Sequence, residues 1–311
     1  MSCIFKVLSA LFSDRPKARI CRDRKHTYFS KVPMKIPSRL MPLLQAELID
    51  EVVGQLQSGK EAEVYVVRTG ETYRCAKVYK EANQRTFKHR TQYTEGRQVR
   101  SSRRGRAMES NSRFGRQERE SEWQNTEVDA LFLLAGAGVQ VPQAYTFYEG
   151  VLLLEIVTNA DGNPAPRLTD VDLTADQART YHQVLIRQAV LMLCAGIVHG
   201  DLSEFNVLVG HKGLVIIDFP QAVQATANNA FGIFERDLKQ LAAFFGQYAP
   251  EIMATEYPKE IWKLYQNGKL KPDSPLTGRF LHSGKKADVN AVLSEIDDAR
   301  DDALERRGFK K

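Results

Sequence analysis

The chain is predicted to be an α+β protein in which a small β-rich lobe and a larger, mainly helical lobe enclose a cleft. Three observations carry this. Strand-like patterning runs from Leu56 to Val78 and resumes from Gln143 to Val157. A polar stretch, Asn159 to Arg167, with Gly162, Pro164 and Pro166, then breaks every periodicity. Beyond it lies a long segment with one apolar face, Thr174 to Ala195, and a mostly helical remainder.

In chain order, residues 1–47 form a lead-in whose first part mixes a short apolar piece with a basic one. Met34 reads equally well as a start, so an extra leader and a misassigned start codon both stay open. The first lobe spans 48–158. Glu63-Val-Tyr-Val-Val-Arg68, a Thr69-Gly70 turn and Thr72-Tyr-Arg-Cys-Ala-Lys-Val-Tyr79 are rich in β-branched and aromatic residues. An insertion, 84–121, follows; between Arg85 and Arg119 it carries eleven Lys or Arg against three Glu and has no apolar period. That is the composition of a mobile basic loop. Trp123, Val128, Leu131, Leu134 and Ala135 recur at helical spacing over Glu122 to Ala135, and Gly136-Ala-Gly138 ends the helix. Strands Gln143 to Tyr148 and Val151 to Val157 meet across the Glu149-Gly150 turn. The second lobe, 159–283, holds the Thr174–Ala195 helix and a hairpin, Val207-Leu-Val209 with Leu214-Val-Ile-Ile217. An amphipathic helical tail, 284–311, closes the chain.

With 311 residues, 43% of them hydrophobic, the chain can bury one sizeable or two small cores. No apolar run approaches the roughly 20 residues that cross a bilayer, and no signal peptide is evident, which makes residence cytoplasmic and a membrane partner unexpected. Cys3, Cys21, Cys75 and Cys194 lie in no CxxC or Cys/His spacing, so reduced thiols are expected rather than zinc or disulfides. The net charge of +6 is concentrated in the basic insertion. RNA binding there, with a steep salt dependence, is one reading; a solvated loop that is itself modified at Ser101, Ser102, Ser110 or Ser112 is the other.

The chemistry is written in three motifs. Ile197-Val-His-Gly-Asp-Leu-Ser-Glu-Phe-Asn-Val-Leu208 sets Asp201 and Asn206 on a loop after a helix, and an apolar strand ending in Asp218 follows. Phosphoryl transfer needs positioned metal ions, charge neutralisation and a group that orients the attacking hydroxyl. Asp201 suits the last task; Asn206 and Asp218 supply the hard oxygens magnesium prefers. Turn capping is the ordinary alternative for Asp201 and Asn206, but the apparatus follows in the right order. His199 reads as a packed, hydrogen-bonded support. In the first lobe Lys77 lies mid-strand among apolar neighbours, with Glu127 on the following helix as its partner for holding nucleotide phosphates.

Gly54, Gly59 and Lys60 satisfy G-x-x-x-x-G-K, yet Glu61 stands where a P-loop needs Ser or Thr, and a strand follows instead of a helix. Ser58-Gly59-Lys60-Glu61 is therefore read as the turn of a strand-turn-strand cover, with backbone N–H groups at Gly59 and its neighbours facing phosphates.

Together, Ser58-Gly-Lys-Glu-Ala-Glu-Val-Tyr65, Ala76-Lys-Val-Tyr-Lys80, His199-Gly-Asp-Leu-Ser-Glu-Phe-Asn206 and Ile217-Asp-Phe-Pro-Gln-Ala-Val223 resemble the RIO family of atypical serine/threonine protein kinases, over about Leu48 to Tyr248. The nearest branch is the bacterial type that lacks a winged-helix domain. The resemblance implies a trimmed protein-kinase-like fold without an activation loop or Ala-Pro-Glu segment. It also implies ATP with Mg2+ or Mn2+ and autophosphorylation on serine. By motif, Ser58, Gly59 and Lys60 meet phosphates, Lys77 pairs with Glu127, Asp201 is catalytic, and Asn206 and Asp218 hold metal. By strand position Leu154 is the gatekeeper, and the backbones of Glu155 and Val157 meet adenine. Pro220 stands where ordinary kinases have Gly. Family members that act as ATPases make Asp218 a phosphate acceptor, so kinase and nucleotide-dependent switch on a ribosomal or other RNA-containing assembly both stay open. A small-molecule phosphotransferase of the aminoglycoside or choline type is the third reading; Ser203-Glu204-Phe205 argues against it.

Overall fold

The computed structural model describes residues 36–59, 62–80 and 127–280. The leader, Lys60, the basic insertion and the C-terminal tail lie outside the described residues. Five antiparallel strands form the first lobe's sheet: β1 (Glu51–Ser58), β2 (Ala62–Thr69), β3 (Thr72–Tyr79), β4 (Ala144–Tyr148) and β5 (Val151–Glu155), in the order β1-β2-β3-β5-β4. β1 begins five residues before the strand-like run expected from Leu56, with register shifts between Val52 and Gly54 and between Gln55 and Gln57. Gly54 and these bulges break the alternation that would have marked the strand.

Both faces of this sheet are covered, because a strand's side chains alternate and each set needs its own apolar cover. On one face, a short 3-10 turn (Ser38–Leu40) and helix α1 (Met41–Gln45) bring Leu40 and Leu43 against Val67, Ala76, Val78 and Leu153. On the other, helix α2, described over 127–136, packs Ala130, Leu131 and Leu134 near Tyr79 and Leu152. Lys77 shares the α2 side, and that placement makes its chemistry available.

The second lobe is built on α3 (Ala175–Cys194), α4 (Ala230–Gly246) and α5 (Tyr257–Gln266). A capping box starts α3: the Thr174 hydroxyl accepts from the Gln177 N–H at 3.2 Å, and the Gln177 side chain accepts from the Thr174 N–H at 3.0 Å. The hairpin β7 (Val207–Gly210) and β8 (Gly213–Ile216) lies beneath the linker between lobes. Two-residue strands β6 (Ile197–Val198) and β9 (Val223–Gln224) pair with each other, and so fasten both ends of the stretch that contains Asp201 and Asp218. Strands this short leave no periodicity to read. Among the described residues no helix is long and apolar enough to cross a membrane.

At the base of the second lobe His182 is 1% exposed, its ring 5.7 Å from those of Phe245 and Tyr257. Its Nε2 has no hydrogen-bond partner among the described residues, and burial pushes its pKa down to about 4. The neutral ring is what folds, whereas the unfolded chain takes up a proton near pH 6.5. Stability from this site is therefore present above pH 6.5 and lost as pH falls towards 4. We predict that urea unfolding between pH 7 and 4.5 shows an acid-side loss on the order of 2 kcal/mol greater in the natural chain than in a His182→Phe variant. Parallel pH profiles for the two would refute it.

Candidate active site

Lys77 Nζ lies 2.6 Å from Glu127 Oε1 and 2.7 Å from Asp218 Oδ1, joining β3, α2 and the strand end of the second lobe. Burial opposes the charge on Lys77, but Asp218 and Glu127 outweigh it and hold the ammonium above the ordinary lysine value. Glu127 is 1% exposed, and its other oxygen accepts from the buried Tyr79 hydroxyl at 2.6 Å. A carboxylate so enclosed must have both oxygens satisfied. Tyr79, two residues beyond Lys77 on the same face of β3, does that, and the sequence reading did not assign it a part.

Asp218 sits just past β8 with φ at +73°, a left-handed conformation that costs energy in a residue with a Cβ. The buried Phe219 ring beside it anchors the turn. The Asp218 carboxylate stays 38% exposed to the cleft. Although burial raises its pKa, the Lys77 ammonium, with further help from His199 and Arg167, pulls it below the ordinary range.

The loop from His199 to Asn206 is held from three sides. His199, 1% exposed, donates from Nε2 to the Ile217 carbonyl at 3.1 Å, while its Nδ1 accepts from the Asp201 N–H at 3.2 Å. Burial lowers its pKa to about 4, so the ring is neutral and braces Asp201 against the Asp218 strand. The Asn206 amide donates to the Asp201 carbonyl at 2.8 Å and to its Oδ2 at 3.1 Å. Burial raises the Asp201 pKa, partly countered by that amide. From α4, Asp237 accepts from the Gly200 N–H at 2.8 Å, and Arg236 donates to the Gly200 carbonyl and to Asp237. Asp237 is 2% exposed, and burial pushes its pKa up to about 6. Neither residue appears among the sequence candidates: with Glu235, Lys239 and Gln240 on the same helix, the Arg-Asp pair reads as part of a solvated face.

The remaining candidates surround this centre. Ser58 ends β1, with its hydroxyl 3.4 Å from Lys80 Nζ. The Gly59 N–H, expected to face phosphates, has the Ala62 carbonyl as its partner at 2.9 Å in this structure. At the linker, Glu155 donates its N–H to the Gln143 carbonyl at 2.8 Å, and the Val157 carbonyl accepts from the Ala165 N–H at 2.9 Å. The Val157 N–H makes no hydrogen bond with a described residue. Leu154 is half-buried and opposite Cys75 on β3.

A magnesium ion fits this donor set. The Asn206 amide nitrogen is taken by Asp201, which leaves its side-chain oxygen as the remaining donor atom, and Asp218 has a second oxygen beyond the one that accepts from Lys77. Two hard oxygens from adjacent loops, completed by phosphates and water, are what this ion takes.

A β-sheet lobe carrying a lysine–glutamate pair, set over a helical lobe that carries an Asp–Asn loop and a further aspartate, is a protein-kinase-like fold. A crystal structure of the Rio2 kinase from Chaetomium thermophilum, solved as an ADP/Mg2+-phosphoaspartate complex, matches it with a TM-score of 0.52 at 20% identity, over 84% of this chain and 75% of that one. The RIO domain pattern matches residues 63–258, and the chain belongs to that family. The RIO-type serine/threonine-protein kinase Rio1 of Methanocaldococcus jannaschii is 32% identical over 211 residues, 66% of this chain and 67% of that protein. Rio1 of Haloferax volcanii is 31% identical over 204 residues, 65% and 66% respectively. The serine/threonine-protein kinase rio1 of Schizosaccharomyces pombe is 29% identical over 214 residues, but the chain spans only 40% of its length.

The ion pair at the centre has a thermodynamic signature. Replacing Lys77 by Met leaves Glu127 charged and buried without its cation, which we predict lowers unfolding stability by about 3 kcal/mol. Adding Glu127→Gln removes that charge and restores at least half of the loss. Additive losses in urea denaturation would show that the two do not act as a pair.

Proposed function

We propose that the chain is an ATP-dependent serine/threonine protein kinase of RIO type that also phosphorylates itself on serine. One observation carries this reading: Lys77 and Glu127 of the first lobe and Asp218 of the second form a single ion cluster, with Asn206 bridging from Asp218's neighbouring loop to Asp201. These are the parts that hold a nucleotide triphosphate and orient a hydroxyl towards it. The family membership and the names of its relatives point the same way.

In this reading the Val157 N–H receives adenine, Lys77 keeps one N–H for the phosphates, and the oxygens of Asn206 and Asp218 hold Mg2+ or Mn2+. When bound there, the metal would supply charge neutralisation for the phosphates. The acceptor hydroxyl oxygen bonds to the γ-phosphorus, the bond from that phosphorus to the β–γ bridging oxygen breaks, and ADP leaves. Asp201 takes the hydroxyl proton. Its raised pKa makes it a better base than an exposed aspartate.

A second reading is favoured by Asp218 itself. Its strained backbone leaves a part-exposed carboxylate at the cleft beside Lys77, and the Rio2 structure that shares the fold is a phosphoaspartate complex. Attack by that oxygen on the γ-phosphorus would break its bond to the β–γ bridging oxygen, release ADP and give an acyl phosphate whose hydrolysis makes the protein an ATPase switch. Incubation with γ-labelled ATP separates the two: label stable to hydroxylamine on serine supports the kinase, whereas hydroxylamine-labile label with release of free phosphate supports the switch. No label and no phosphate release would sink both.

Two outcomes are expected of the kinase. The acid limb of kcat/KM titrates above the ordinary aspartate value of 3.8, because the base must be deprotonated and burial has raised it. Asp201→Asn slows transfer by about a hundred-fold or more with ATP affinity retained within a few-fold. Near-normal turnover in that variant would remove Asp201 from the chemistry.

A further inference from the structure

Tyr79 touches both members of the ion pair at the centre of the cleft. It is fully buried, and its hydroxyl donates to Glu127 Oε2 at 2.6 Å while the Lys77 ammonium donates to Glu127 Oε1 at the same distance. The carboxylate is thus held at both oxygens. Lys77 Nζ also lies over the Tyr79 ring, 5.4 Å from its centroid, within the range at which a desolvated cation is attracted to an aromatic face. Strand alternation explains the double contact, since residues 77 and 79 of β3 share one face of the sheet.

Tyr79 is itself fixed from three directions. Phe147 of β4 meets its ring edge-on with 6.4 Å between centroids, Arg39 donates to its carbonyl at 3.0 Å, and its backbone pairs with Ala62 in the β2–β3 ladder. A hydroxyl on so constrained a ring is a fixed point for whatever it bonds. The hold differs in kind from that of Asp218, the other partner of Lys77: Asp218 belongs to the second lobe, whereas Glu127 and Tyr79 hold the lysine from within its own lobe. Phe would fill the same apolar space. The buried hydroxyl is therefore explained by the carboxylate it meets and not by packing.

We infer that Tyr79 is a positioning residue for nucleotide binding: by fixing the rotamer of Glu127 and backing the Lys77 ammonium, it sets the direction of the lysine N–H left for the phosphates. The inference rests on the ATP-binding reading above. A carboxylate released at one oxygen is free to turn about its side-chain bonds and to carry the lysine with it, and a misplacement of about 1 Å in such a contact costs up to about 10²-fold.

The test is a double-mutant cycle on Tyr79→Phe and Glu127→Gln, read by calorimetric titration with the non-hydrolysable analogue AMP-PNP in excess Mg2+. Tyr79→Phe keeps the ring beneath the cation and removes the hydroxyl alone. The expected result is AMP-PNP binding about tenfold weaker in Tyr79→Phe than in the natural chain, but at most about twofold weaker in the double variant than in Glu127→Gln, because the hydroxyl acts through the carboxylate. A general loss of packing would weaken binding by the same factor in both backgrounds. That outcome overturns the inference, as does binding within about twofold of normal in Tyr79→Phe. Either one leaves the proposed function standing, whereas failure of the natural chain to bind AMP-PNP removes both. Should Tyr79→Phe not fold by itself, judged by its thermal melt, the Glu127→Gln background decides: a further loss of about tenfold there overturns the positioning role, and a change within about twofold supports it.

Discussion

Everything in the cleft depends on one buried cation shared between two carboxylates. Lys77 is nearly enclosed, and an ammonium in that setting is tolerable only if the surrounding charge and hydrogen bonds replace what water would have provided. Glu127 and Asp218 do so from opposite lobes. Because one partner rides on α2 and the other on the end of β8, the pair fixes the distance between the lobes as well as the ionisation of the lysine. Tyr79 closes the arrangement by satisfying the far oxygen of Glu127, and Arg39 donates to the Tyr79 carbonyl at 3.0 Å. A line of polar contacts thus runs from the turn ahead of α1, through β3, into the site.

The second lobe solves a different problem. Asp201 must sit on an irregular loop to reach a substrate, yet a loop is the least rigid part of a fold. Three independent fastenings compensate: the β6–β9 pair at its ends, the neutral His199 ring against the Ile217 carbonyl, and the Arg236–Asp237 pair of α4 gripping both polar groups of Gly200. The last is expensive, since it places a carboxylate in the core with its pKa driven up to about 6. What it secures is orientation, which propensity or burial alone would not provide.

Much of this was legible in the sequence because chemistry constrains residue type and order. Lys77, Asp201, Asn206 and Asp218 stood out as polar residues in apolar strands or at fixed spacing on a loop, and Glu127 as a carboxylate on the helix facing one of them. The long helices were plain from their apolar faces. Other parts were invisible for physical reasons. Strands β6 and β9 have too few residues for a period to appear, and β1 is disguised by its bulges. Asp237 looks like any surface acid on a helix until the packing of α4 turns it inward. The linker carried no pattern at all; its backbone is placed by an antiparallel bridge between Arg167 and Leu208.

That bridge belongs to a larger set of contacts between the linker and the second lobe. The Thr158 carbonyl accepts from both the backbone and the ring of His211, the Val157 carbonyl from Ala165, and a Cβ at Gly210 would lie 3.0 Å from Val157. The stretch after Val157 is thereby stapled to the β7–β8 hairpin. The lobes are tied again at Gln140, whose carbonyl accepts from the Ile216 N–H at 2.8 Å and whose N–H donates to Gln188 at 2.7 Å, and Glu155 to Val157 is the short stretch left between these attachments. A ligand that grips those three backbones would stiffen the joint as well as fill the cleft, so occupancy and lobe angle become one variable instead of two.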